Sequence, residues 1–361
     1  MGAVRVYLGL AAKGRDIPPQ ALATAREAIE SAFPVPAEVI RADEWHGGGV
    51  SLFGWSNEPD DSRLPRLLHP DGGRIVGVNG HLADPADVSR LPDDSIGGAF
   101  SAWIARDGEL TASTAINRVC PVFYAETADL HIVGSRALLV HLLAQRADRI
   151  DFDVLALQTM VRQGFFLSDE TPYKGVSALR PSTTIAIRGG SRTISETPLP
   201  VAGPAPDSPR LKRAAIGELA EALLATVEPL RSAPEPVNLA LTGGRDTRIL
   251  AALLHAAKVP FRVTTNGLDT HPDVILARRI AAALKVEHTV IAPPQTAAKD
   301  AVLVEHPLER ALGDAAHLRG HDVGLRVDRG LPAVLGQAHH VGAERRDAAR
   351  GQPQPASDRP R

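Results

Sequence analysis

The sequence predicts an α+β layered domain followed by an α/β domain built on a parallel sheet, and three observations carry that expectation. Short apolar segments, many β-branched or aromatic and separated by turn signals, crowd residues 1 to about 200. Residues 197–210, TPLPVAGPAPDSPR, are rich in proline with Gly, Ser and Asp and read as a linker. From Val237 the pattern becomes strand, helix, strand, helix, strand, which implies parallel strands joined by right-handed crossovers. The expected boundaries are 1–196, a linker over 197–210, a second domain over 211–312 and a tail over 313–361.

In the first part, strands are expected at Val4–Leu10, Val50–Trp55, Arg74–Val78, Ala99–Ala105, Leu110–Ala115, Pro121–Ala125 and Leu130–Gly134. Asp71-Gly72 and Asp107-Gly108 favour tight hairpin turns between them. Helical spacing covers Gln20–Phe33, Ser135–Arg146 and Asp151–Gln163. In the second part, Leu211–Leu230 repeats apolar residues at Leu211, Ala215, Leu219, Leu223 and Val227, a face to pack on that domain. Phe261–Thr265 and His288–Ile291 are the second and third strands. The helix between them is expected to start with Thr270 as N-cap and Asp273 three residues on, and to bury Leu276, Ile280, Ala283 and Leu284.

The stretch Val237–Leu254, VNLALTGGRDTRILAALL, concentrates the chemistry. Val237–Leu241 reads as a strand buried on both faces, Thr242 to Thr247 as a polar turn with paired glycines. From Arg248, Ile249, Leu250, Leu253, Leu254 and Ala257 mark the apolar side of a helix. A strand passing through glycines into a helix N-terminus suits a phosphate, because free backbone N–H groups and the helix dipole both favour an anion there. The loop lacks GxxxxGK(S/T) and GxGxxG, so neither the common P-loop nor a dinucleotide fingerprint is present. The plain alternative is a strand–helix turn whose Asp caps the helix.

Composition bounds the partners. The 361 residues are 44% hydrophobic and 23% charged with a formal net charge of -2, an ordinary globular balance that favours neither nucleic acid nor membrane. A lone cysteine, Cys120, leaves no intramolecular disulfide and no cysteine cluster for metal. No signal peptide, myristoylation signal or spanning segment is expected, and a cytoplasmic location follows as an expectation.

Thr242-Gly243-Gly244-Arg245-Asp246-Thr247 resembles the SGGxDS loop of the ATP-pyrophosphatase group, with threonines at both serine positions. Upstream, Val78-Asn79-Gly80-His81-Leu82 resembles the NGEIYN element of class II glutamine amidotransferase domains. Gly97-Gly98-Ala99-Phe100-Ser101-Ala102 with Asp107-Gly108 is similar to their G-x-FA…DG hairpin. Asn117-Arg118 through Tyr124 resembles a shortened RDxxGxxPLYY, and Gly134–Leu139 the helix start after it. Gly164–Pro181 resembles the segment leading out of that domain. Together, over roughly the first 290 residues, the order resembles the asparagine synthetase family with its β-lactam synthetase and lasso-peptide cyclase branches.

That resemblance implies an Ntn-hydrolase-like αββα sandwich, then an adenine nucleotide α-hydrolase-like domain. It implies ATP and Mg²⁺ as cofactors, pyrophosphate gripped by Leu241, Thr242, Gly243, Gly244, Arg245, Asp246 and Thr247, and Asp246 as the metal ligand. Thr265, Asn266 and Gly267 would border the adenine, or simply form a turn with Gly267 at positive φ. Asp273 would cap its helix or touch nucleotide or metal; Arg245 and Arg248 would reach phosphate oxygens or face solvent.

Departures from the family matter equally. Its glutaminase nucleophile is a cysteine directly after the initiator Met, where this chain has Gly2. Asn79 and Gly80 then line a vestigial amidotransferase pocket, with Cys120 expected to be a buried structural thiol. After about Leu312 the family's G-x-GxDE-x-x-GG loop has no counterpart, Gly313-Asp314 being only superficially similar. The segment from Val323, including His339-His340, is too poor in large apolar residues to order itself, so a truncated or out-of-frame C-terminus is expected. The implied function is an ATP-dependent amide-bond-forming ligase acting on a small-molecule or peptide carboxylate, without glutaminase activity. The alternative is a catalytically incomplete nucleotide-binding remnant. Nucleic-acid thiolation is disfavoured, since basic patches and a partner cysteine are both missing.

Overall fold

The computed structural model describes residues 4–33, 39–58, 66–93, 95–145, 150–198, 203–232 and 235–292. Gly2, the end of the expected second domain and the expected tail, His339-His340 included, lie outside the described residues.

The first part is two stacked antiparallel sheets. In chain order it comprises β1 (Arg5–Ala12), α1 (Pro19–Ala32), β2 (Arg41–Gly47), β3 (Val50–Ser56), β4 (His69–Asp71) and β5 (Arg74–Leu82). Next come β6 (Gly98–Arg106), β7 (Glu109–Thr114), β8 (Phe123–Glu126), β9 (Leu130–Gly134), α2 (Ala137–Gln145) and α3 (Val154–Gln163). β10 (Ser177–Ala178), β11 (Thr183–Arg188) and β12 (Ser191–Glu196) close it. One sheet has the order β10-β8-β9-β1-β3-β2, the other β12-β11-β7-β6-β5-β4.

The period-two alternation of β1 explains the layering. Val6, Leu8 and Leu10 pack with Ala25, Ile29, Leu139 and Val140 of α1 and α2, while Tyr7 and Ala11 face Trp103, Leu110 and Ile187 of the second sheet. Tyr7 stacks on Trp103 with ring centroids 4.9 Å apart, and both rings are fully buried. Glycine makes the space: a Cβ on Gly77 would lie 2.4 Å from Tyr7 Cε1, and one on Gly54 3.2 Å from it. The Tyr7 hydroxyl donates to the Leu67 carbonyl at 2.9 Å, and burial pushes its pKa up to about 12.

The expected αββα sandwich is realised on one side only. Among the described residues the outer face of the second sheet (Val76, Val78, Phe100, Ala102, Ile104) is covered by Leu91, Ile96 and Val88 around a short 3₁₀ helix, Pro85–Arg90. That connection holds too few apolar residues, and too many prolines, for a helical layer. Nor does α3 supply one: it buries Ala156 while Leu155 and Val161 are exposed. The glycines do turn the hairpins, Gly72-Gly73 between β4 and β5 and Gly108 between β6 and β7, all at positive φ.

After the proline-rich stretch come α4 (Pro209–Val227), β13 (Val237–Ala240), α5 (Arg245–Ala256), β14 (Phe261–Asn266), α6 (Pro272–Leu284) and β15 (His288–Ile291). The strands form a parallel sheet in the order β13-β14-β15. Leu239, Leu241 and Val263 meet Ala251 of α5 and Ala277 and Ala281 of α6.

Several expectations are corrected here. β13 is buried on one face, not both, since Asn238 and Ala240 are exposed. α4 buries only Val227; Leu211 and Leu219 stand more than half exposed, so its apolar stripe reaches the core at one end. α6 buries Val274, Ala277 and Ala281 rather than Leu276 and Ala283, because small side chains let the helix approach the strands closely. In α5 the expected Leu254 and Ala257 are buried, but Ala251 joins them in place of Ile249 and Leu250, which are exposed.

Candidate functional site

The sequence-predicted residues come together at the carboxyl ends of β13 and β14, where ligands bind in open parallel sheets. Leu241 follows β13 and is fully buried; its carbonyl accepts from Thr265 Oγ1 at 2.7 Å. Thr265, 3% exposed, also bonds His288 Nε2 at 3.0 Å. With the hydroxyl proton engaged by Leu241, the imidazole is the donor in that second bond. Burial, and secondarily the charge of Arg278, lowers the His288 pKa and so favours the neutral ring. One hydroxyl thus ties all three strands together directly beneath the loop.

The helix begins earlier than its apolar spacing implies. Gly244 is the N-cap of α5, so Arg245, Asp246 and Thr247 form its first turn and the true turn is only Thr242-Gly243-Gly244. Within this turn the backbone N–H groups are engaged by side chains. Thr242 N–H donates to Thr247 Oγ1 (3.2 Å), Gly243 N–H to Asp273 Oδ1 (2.8 Å) and Gly244 N–H to Thr242 Oγ1 (3.1 Å). Short polar side chains at 242 and 247 satisfy the Thr242 and Gly244 donors locally, while the Gly243 donor is met by Asp273 from the next helix. The donors that remain are those of the α5 first turn, because the Gly244 N-cap supplies no side-chain cap.

Asp246 is exposed in that turn and makes no side-chain hydrogen bond to any described residue. A carboxylate there interacts favourably with the helix dipole by about 0.5 kcal/mol. Arg245 is exposed, and Arg248 Nε donates back to the Gly244 carbonyl at 3.2 Å. Among the described residues no group of three or more His, Cys, Asp or Glu side chains is placed to hold a metal. One carboxylate nevertheless fits magnesium, which takes most of its octahedron from phosphate oxygens and water.

At the end of β14, Asn266 is exposed and Gly267 has φ +148, with its N–H donating to the Ile291 carbonyl at 3.0 Å. Thr270 is not the N-cap of α6. His271 takes that place, its Nδ1 accepting the Asp273 N–H at 3.3 Å, and this frees the Asp273 carboxylate to cross to Gly243. Sequence reasoning missed that thirty-residue crossing; the only local signal was an acid in a first turn already capped by another side chain.

In the first part, Asn79 and Gly80 lie in β5, with Gly80 at φ +93. Cys120 sits against Gly80: a Cβ there would be 2.7 Å from Sγ. The thiol is half-buried rather than fully buried, donates to the Ala99 carbonyl at 3.6 Å, and has its pKa raised by desolvation. Two residues before Cys120, the Arg118 guanidinium donates to the Ser168 carbonyl at 2.9 Å, and burial lowers its pKa.

No family model and no curated protein matches the chain. Among solved structures it is similar to glutamine phosphoribosylpyrophosphate (PRPP) amidotransferase from B. subtilis complexed with ADP and GMP: TM-score 0.34, 11% identity, 85% of this chain and 70% of that chain. A structure described as the allosteric regulatory enzyme of purine biosynthesis gives TM-score 0.35 at 10% identity, with the same 85% and 70% coverage. Likeness at this level decides nothing about activity. No helix among the described residues is long and apolar enough to cross a membrane.

Proposed function

We propose that this chain is an ATP-dependent carbon–nitrogen ligase of the asparagine synthetase type, with a class II amidotransferase-like first domain (1–196), a linker (197–210) and a nucleotide domain beginning at 211. The observation that carries the reading is the uncapped N-terminus of α5, which follows β13 through Thr242-Gly243-Gly244 and holds the exposed Asp246 in its first turn. The first-turn amides of Arg245, Asp246 and Thr247 would hold the β- and γ-phosphates of ATP, with Leu241 to Gly244 shaping the turn beneath. Asp246 would hold Mg²⁺, which when bound neutralises phosphate charge. Thr265, Asn266 and Gly267 would border the adenine.

In this chemistry a substrate carboxylate oxygen attacks the α-phosphorus, the bond to the β-phosphate oxygen breaks, and acyl-adenylate and pyrophosphate form. An amine then attacks the acyl carbon, AMP leaves, and one proton is released. The loop's contribution is positioning and a fixed field of N–H dipoles toward the departing pyrophosphate. Gly2 has no side chain to act as a glutaminase nucleophile. Cys120 does not replace it, because a thiol with a raised pKa is a poor source of thiolate. Ammonia or an amine on the substrate would therefore be the acceptor.

One observation favours the second reading, a nucleotide-binding remnant: the N–H groups of Thr242, Gly243 and Gly244 are already paired within the protein. Calorimetry with ATP and Mg²⁺ tests the first reading, and Asp246→Ala should weaken binding by about tenfold or more. A well-folded wild-type sample that gives no response refutes both readings. Pyrophosphate release dependent on an added carboxylate marks the ligase, while binding without turnover marks the remnant.

A further inference from the structure

We infer that the Asp273 carboxylate is a built-in anion that holds the Thr242–Gly244 turn shut and competes with phosphate for it; this rests on the nucleotide reading of the site. Three features of the geometry support it. The carboxylate is not needed by its own helix, since His271 Nδ1 already accepts the Asp273 N–H. It is instead spent on Gly243 N–H at 2.8 Å, the middle donor of the turn that an incoming phosphate would approach. Finally, the contact depends on a missing side chain: a Cβ on Gly243 would lie 3.0 Å from Asp273 Oδ1 and 2.6 Å from Leu276 Cδ1.

The neighbouring charges do not cancel Asp273. Its Oδ2 is 3.8 Å from His271 Nδ1, and that nitrogen, as acceptor of the Asp273 amide, carries a lone pair rather than a proton. Arg278 is turned to Asp269 at 2.6 Å, and Arg248 to the Gly244 carbonyl. A fixed negative charge therefore stands at the mouth of the loop when no phosphate is bound. Anion binding must either tolerate it or turn it out of the turn, which would release Gly243 N–H to the ligand.

The experiment uses the full chain and inorganic pyrophosphate without metal, so that a metal-ligand role for Asp273 cannot interfere. Asp273→Asn keeps an acceptor of the same shape for Gly243 and removes only the charge. It is expected to bind pyrophosphate about tenfold more tightly than wild type, the effect of one like charge at the edge of a partly solvated site. Asp273→Glu, which keeps the charge, should not show this gain. In the absence of ligand, Asp273→Ala should speed hydrogen exchange at the Gly243 amide, while Asp273→Asn leaves it protected. Wild-type binding with no gain in Asp273→Asn overturns the competition and leaves the nucleotide reading standing. Absence of pyrophosphate binding in wild type and Asp273→Asn alike overturns both.

Discussion

Replacing Thr265 by valine removes one oxygen, keeps the branched shape, and strikes the point where β13, β14 and β15 hold the loop. The hydroxyl donates to the buried Leu241 carbonyl at 2.7 Å and accepts from His288 at 3.0 Å. Leaving a buried acceptor unpaired costs about 1–3 kcal/mol, and the second hydrogen bond contributes about 0.5–1.5 kcal/mol where it cannot be replaced. His288 is only partly buried and can turn to water, so the carbonyl dominates. The methyl that replaces the oxygen recovers up to about 0.8 kcal/mol. The net expectation is a loss of about 1–2 kcal/mol, confined to the parallel sheet.

A chain with two antiparallel sheets and a separate parallel one is a poor subject for a single two-state melt, so the readout should be local. Hydrogen exchange at the amides of Leu241 and Gly267, which bond the Thr264 and Ile291 carbonyls, should accelerate roughly 5- to 30-fold. Amides of β1 and β6 should be unchanged. Exchange at Leu241 and Gly267 within twofold of wild type would refute the assignment of this hydroxyl as the tie between the strands.

Two further outcomes follow from the same geometry. The folded-state pKa of His288 lies below its ordinary value near 6.5, so its neutral form contributes stability that is present above that pH. That contribution is lost as pH falls from about 6.5 toward the lower folded value, and exchange at the Thr265 amide measured against pH should lose the dependence in His288→Gln. Gly80→Ala places a Cβ 2.1 Å from the Ala99 carbonyl oxygen at φ +93, so it should destabilise the β5–β6 pair by about 2–4 kcal/mol, read as a drop in the melting temperature of the antiparallel part.

Strands buried along most of their length were legible as short apolar runs, as in β1, β3, β6 and β9, whereas β11, whose Thr183, Ile185 and Ile187 alternate with less buried residues, was not. β2 and β12 were not. RADEWHG and SRTISE sit at sheet edges with their side chains largely exposed, so only the partner strand's hydrogen bonds define them. At the site, strand, glycine turn and helix could be read in order. The start of α5 could not, because Arg245-Asp246-Thr247 has no apolar residue to set a phase. The Asp273–Gly243 bond was invisible for a different reason: it depends on how closely α6 approaches β14, which alanines at 277 and 281 set and no local pattern encodes.

The stacked rings of Tyr7 and Trp103 have an evolutionary consequence. Because Tyr7 lies against the bare backbone of Gly54 and Gly77, neither glycine is free to drift while the ring stays in place. A larger residue at 77 becomes acceptable only in a background that has already lost bulk at 7, so the two positions should change hands as a pair. Among distant descendants of this sequence, a tyrosine lost from the first strand would be the forerunner of a glycine lost from the fifth.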